Sequence, residues 1–133
     1  MINLTLAEFA ARYYLHDSSI EKIEYDAVDK TLALTIDFCF WMQNWYDKTT
    51  PTNGLIAVTF EGVSVFEYDN NITDRIFSDE LDSEIWDAEL DGDGYLNFFS
   101  VEYIYNSDGN DIYWNLKIKA DNVEVEELER YNL

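Results

Sequence analysis

Residues 76–116 read IFSDELDSEIWDAELDGDGYLNFFSVEYIYNSDGNDIYWNL and hold eleven Asp or Glu residues without a single Lys or Arg. A stretch so charged must still fold, and its apolar residues show how. Tyr95, Leu96, Phe98, Phe99, Val101, Tyr103, Ile104 and Tyr105 make both faces of one run apolar, which predicts a strand, Tyr95 to Tyr105, covered on both sides. Asp91-Gly92-Asp93-Gly94 before it and Asn106 to Asp111 after it supply hairpin-turn residues. The flanking runs, Glu84 to Leu90 and Ile112 to Ala120, read as its partners. In the second of these, Ile112, Trp114, Leu116 and Ile118 face one way, while Asn115, Lys117 and Lys119 face the other. Another turn, Asp121-Asn122, leads to a last strand, Val123 to Leu128. The C-terminal half is therefore expected to be an antiparallel meander.

Toward the N-terminus, Ile72 to Asp82 matches neither period and accommodates one helical turn. Asp69-Asn70-Asn71 is a turn, because Asn and Asp tolerate left-handed backbone angles. Val63 to Tyr68 and Leu55 to Phe60 read as strands, bent or separated at Glu61-Gly62. A loop from Gln43 to Asn53 carries the only proline, Pro51, and Trp41, Trp45 and Tyr46 crowd its start. These aromatics fit a core edge better than a surface patch, since aromatic rings carry much of the buried area of a small domain. The clearest strand comes before the loop: Leu32, Leu34, Ile36, Phe38 and Phe40 alternate with Thr31, Ala33, Thr35, Asp37 and Cys39. Ile20 to Tyr25 is a further strand, entered through the polar turn Leu15-His16-Asp17-Ser18. The first element is a helix. Thr5 and Glu8 have capping-box spacing, and Leu6, Phe9, Ala10 and Tyr13 fall on one face, so the helix should run to about Tyr14. The expected fold is α+β but mostly β: an antiparallel sheet of about seven or eight strands with one N-terminal helix packed on it.

Charge is large and uneven. Residues 1–66 hold nine acids and four bases, residues 67–133 hold nineteen and four, and the net charge is −20. A chain this acidic could be disordered, but 47% hydrophobic and 17% aromatic residues give it the apolar surface that disordered segments lack. One globular domain over residues 1–133 is expected at this length. Excess charge of one sign repels itself, so it serves either solubility, as in a halophilic protein, or the steering of a cationic partner. It disfavours nucleic acid, whose phosphates repel carboxylates. The N-terminal residues lack the basic start and apolar run of a secretion signal, and no apolar run approaches the roughly twenty residues of a membrane helix. Cytoplasmic residence is the expectation, and the single Cys39, set in an apolar strand, reads as a buried thiol.

Catalytic patterns are weak. Glu89 to Leu96 resembles a calcium loop in its alternating oxygen ligands and its Gly at the sixth position. The first position is nevertheless Glu, and the twelfth is Ser100, which supplies no bidentate carboxylate; a hairpin turn is the plainer reading. His16-Asp17 has the residue order of a phosphohydrolase metal dyad, but such sites need more histidines than the one present. His16 is better explained as capping the helix-to-strand turn. No Ser-His-Asp or Cys-His arrangement is supported without a second histidine or a nucleophile elbow. With twenty-eight acids, some glycosidase-like carboxylate pair is inevitable and carries no information. No cofactor, metal or catalytic residue is assigned.

A family resemblance covers about residues 9–71. Its carriers are the helix with Phe9, then Leu15-His16-Asp17-Ser18 with Ile20, Ile23 with Tyr25-Asp26, the alternating Leu32, Leu34 and Ile36, and Val58-Thr59-Phe60-Glu61-Gly62-Val63. In these the chain resembles the small, acidic, strand-rich immunity proteins that bacteria encode beside polymorphic toxins. The resemblance implies neutralisation of a cognate toxin by binding, without catalysis. Charge agrees with that mechanism, since a toxin nuclease needs a basic surface that an acidic protein can cover. The expected contact field is Asp79, Glu80, Asp82, Glu84, Asp87, Glu89, Asp91 and Asp93, with Trp86 serving either as an anchor or as core packing. A different class remains open: four Trp and ten Tyr on a sheet can stack sugars, and exposed coplanar rings would be its sign.

Overall fold

Thr5 starts the one α-helix as its spacing predicts: its hydroxyl accepts from the Glu8 N–H at 3.0 Å, and the Glu8 carboxylate accepts from the Thr5 N–H at 2.9 Å. In the computed structural model, which describes residues 1–73, 75–79, 81–102 and 111–133, that helix is α1 (Leu6–Arg12) and follows a short strand, β1 (Ile2–Leu4). The chain continues through β2 (Ser19–Asp26), β3 (Thr31–Cys39), β4 (Asn53–Glu61) and β5 (Val65–Tyr68). It ends with β6 (Ser83–Leu90), β7 (Leu96–Glu102), β8 (Ile112–Lys119) and β9 (Asn122–Tyr131). Single 3-10 turns occupy Phe40–Met42 and Asn70–Ile72.

The nine strands make one antiparallel sheet in the order β1-β9-β4-β3-β2-β6-β7-β8-β5. The fold class is the expected one, with three corrections of detail. β1 adds a ninth strand; at three residues it is too short to show a period, and it exists because Ile2, Asn3 and Leu4 can complete the free edge of β9. Helix α1 stops at Arg12, two residues early, where Tyr13 turns extended and the Trp45 Nε1–H donates to the Arg12 carbonyl at 3.0 Å. The meander extends only over β6, β7 and β8. Beyond β8 lies β5, paired from Val65 opposite Lys119 to Tyr68 opposite Leu116, so β9 crosses to the other half of the sheet and pairs with β4 and β1. Burial rewards that crossing: Val123 and Val125 lie opposite Phe60 and Val58, and all four side chains are buried. The parts of the expected strand and turn at residues 103–110 lie outside the described residues.

The core is one cluster. Leu32, Leu34, Ile36 and Phe38 of β3 are fully buried, and they join Phe9 of α1 with Phe98, Trp114 and Leu116 from the other half of the sheet. A flat nine-stranded sheet could not gather these residues, so the sheet coils. Tyr25 of β2 accordingly touches Phe66 of β5 with ring centroids 4.9 Å apart, although three strands separate them in the sheet order. The loop aromatics divide. Trp45 and Tyr46 pack against the core, as expected for a core edge, whereas Trp41 is half exposed. Gln43 fixes that loop by bonding both backbone groups of Tyr14. Among the described residues, no helix is long and apolar enough to cross a membrane.

Candidate partner-binding face

β6 begins with strict alternation. Ser83 and Ile85 point into the core and are fully buried, and Ala88 packs against it, leaving Glu84, Asp87 and Glu89 on the outer side. Between Ile85 and Asp87 the pairing with β7 slips by one residue, a β-bulge, and the extra residue is Trp86. The turn Leu15-His16-Asp17-Ser18 holds the bulge from the β2 side. Ile85 N–H donates to the Ser18 carbonyl at 2.7 Å, and Asp17 N–H donates to the Ile85 carbonyl at 3.0 Å. His16 Nδ1 lies 2.6 Å from the Trp86 carbonyl. A carbonyl only accepts, so Nδ1 carries the proton. His16 thus grips the neighbouring strand, and its Nε2 lies 3.3 Å from the Asp17 carboxylate.

Directly opposite residues of antiparallel strands share a face, and three rows cross this one. Glu84, Val101 and Tyr113 form the first, Asp87, Phe99 and Asn115 the second, and Glu89, Asn97, Lys117 and Glu67 the third. Three aromatic rings meet across the first two rows. Trp86 lies 5.6 Å from both Phe99 and Tyr113, and those two are 6.1 Å apart with planes 11° from parallel. Trp86 is 38% exposed and Tyr113 47%, so Trp86 belongs to this outer cluster and not to the core. Val101, between Glu84 and Tyr113, is buried. The outer side of β7 is therefore only partly covered, against the expectation of cover on both sides. The rings do not form one plane, since Trp86 stands 70° and 73° from its two neighbours.

Of the expected contact field, Glu84, Trp86, Asp87 and Glu89 come together here. Asp91 and Asp93 sit at the adjoining turn, where Asp91 has a structural task. Its Oδ1 accepts the N–H groups of Asp93 and Tyr95 at 2.9 and 3.0 Å, and its Oδ2 accepts from the Asn97 side chain at 2.9 Å. The Tyr95 bond, chiefly, holds its carboxyl below the usual range. The calcium-like spacing is thus a hydrogen-bonded turn closed by Gly94 at φ 86°. Asp79 lies 3.6 Å from Lys22 of the adjacent β2, and Asp82, exposed two residues before Glu84, is close enough to Glu21 of β2 to raise its carboxyl. Glu80 lies outside the described residues. Phe99 and Tyr113 complete the cluster without having been singled out from the sequence. Tyr113 was within reach, being two residues before Asn115 on the same outward period.

The three rows carry four acids, Glu84, Asp87, Glu89 and Glu67, and one base, Lys117. Among the described residues four acids pair with a Lys or Arg, namely Glu24, Asp79, Glu102 and Glu127. No described Lys or Arg is within ion-pair distance of Glu84, Asp87 or Glu89. Lys117 and Lys119 lie over the Tyr95 ring, 4.2 and 5.0 Å from its centroid. Further acids adjoin Glu84 across β2, where Ser19 lies opposite both Glu84 and Asp37: burial first, then Asp37 and Asp82, push the Glu21 carboxyl up, and Asp37 accepts a hydrogen bond from the Tyr131 hydroxyl. Burial likewise pushes up the thiol of Cys39, which is buried as expected. No group of three His, Cys, Asp or Glu side chains among the described residues could hold a metal ion. Comparison with protein-family models, with curated proteins and with solved structures finds no match to this chain.

Proposed function

We propose that this chain is a non-catalytic acidic binding protein of the immunity type, which neutralises a basic protein partner such as a toxin nuclease by covering its cationic surface. The observation that carries the reading is the outer face of β6, where Glu84, Asp87 and Glu89 flank Trp86 and no described cation of the chain pairs with them. Carboxylates left without internal partners raise the local negative potential, which speeds encounter with a positive surface and sets orientation. Charge of this kind confers rate and selectivity, and an aromatic side chain nearby supplies the apolar contact that slows dissociation. A nuclease surface evolved to hold phosphates offers the complementary arginines and lysines.

The test starts from the immobilised protein in lysate of its source cell at low salt, eluted by a salt gradient, with the neighbouring gene's product then purified and titrated. A basic protein encoded next door should bind with an affinity that falls as salt rises. The triple reversal Glu84→Lys, Asp87→Lys, Glu89→Lys should weaken that binding by at least about tenfold and flatten its salt dependence. Unchanged affinity in the triple variant would sink the proposal.

A further inference from the structure

We infer that the Trp86, Phe99 and Tyr113 cluster is a recognition site for arginine side chains presented by a protein partner. The inference rests on the basic-partner reading above and adds the chemical group that is recognised. Three observations support it. First, the rings and the carboxylates share rows: Asp87 is directly opposite Phe99, and Glu84 lies in the row that ends in Tyr113. Strands are about 4.8 Å apart, so a guanidinium resting on a ring of this cluster is within a side chain's length of a carboxylate. Second, the chain already uses the same combination internally. Arg130 has its guanidinium carbon 3.4 Å from the Phe40 ring centroid while its Nε and Nη2 donate to the Glu127 carboxylate, both at 3.3 Å. Third, the site is held ready, because the bulge that presents Trp86 is tied to the His16-Asp17-Ser18 turn by three polar contacts.

Arginine is favoured over lysine for physical reasons. A guanidinium is planar and weakly hydrated, so it stacks on an aromatic face and still offers N–H groups in its plane to a carboxylate. An ammonium is a compact, strongly hydrated charge that the acids attract equally well but the rings hold less. Four of the chain's own eight bases, Arg12, Lys117, Lys119 and Arg130, lie over aromatic rings elsewhere. None of the described bases lies over Phe99 or Tyr113.

The experiment titrates the isotope-labelled protein at low salt with an oligoarginine peptide and, separately, an oligolysine peptide of equal length, following chemical shifts and affinity. Oligoarginine should bind about fivefold more tightly, its shifts should centre on the Trp86 indole and the Phe99 and Tyr113 rings, and Tyr113→Leu should remove most of the preference. Tyr113 is half exposed, so that variant should fold; the wild-type shift map decides the matter even if a Trp86→Leu variant does not. Equal affinity for the two peptides, or shifts spread over other acidic surfaces, overturns the arginine site and leaves the basic-partner reading standing. Binding of neither peptide overturns both.

Discussion

Glu21 shows how one residue records the cost of the charge. Its carboxyl is raised above the ordinary glutamate range because burial and then Asp37 and Asp82 disfavour its ionised form. A carboxyl with a folded pKa above its unfolded one favours the native state when protonated, and that contribution is lost as pH rises through the folded value. Glu21→Gln is therefore expected to raise the urea midpoint at pH 7, with the gain vanishing below about pH 4, where the wild-type side chain is protonated in both states. A gain that persisted in acid would point to packing instead of charge. His16 makes a different point at this scale. The sequence assigned it to its own turn, but the backbone group it bonds is the Trp86 carbonyl seventy positions away, which could not be read from spacing.

At the scale of elements, the decisive pairing is that of β4 with β9. Gly54 of β4 faces Arg130, and a Cβ added at Gly54 would lie 2.1 Å from the Glu129 carbonyl oxygen. Gly54→Ala should thus force the two strands apart locally and lower stability by about 1–3 kcal/mol, measured by urea unfolding; an unchanged midpoint would show that this edge yields freely. The strands themselves were legible because alternation survives over at least part of each longer one, most plainly in β3. Their order was not. Period two says which residues face the core but nothing about which strand lies alongside, and the short turn at Asp121 suggested a hairpin between β8 and β9 that the occupied edge of β8 prevents.

At the scale of the whole molecule, a net charge of −20 surrounds one coiled sheet and one core. Few of the described acids enter ion pairs, so self-repulsion should oppose folding at long range and be screened by salt. The thermal midpoint is expected to rise between about 0.01 M and about 1 M sodium chloride, over which the Debye length falls from roughly 30 Å to roughly 3 Å. A flat response would mean that the acids are neutralised within the fold and would weaken the steering argument as well. Strand pairing makes the outer sides of β6, β7 and β8 one continuous face, and Ser19, opposite both Glu84 and Asp37, carries that face on to the acids of β2 and β3.

The sequence by itself determined the class of fold, the capped helix, the in-and-out assignment of most strands and the acidic surplus, because each of these follows from composition or from periods only a few residues long. Tertiary structure alone decided that β9 lies beside β4 and not β8, that Asp91 is occupied by its turn, and that Phe99 and Tyr113 stand with Trp86 among the β6 carboxylates. These depend on which edges are free and on how the sheet coils. Both are set by the burial of residues distant in sequence, which no local pattern encodes.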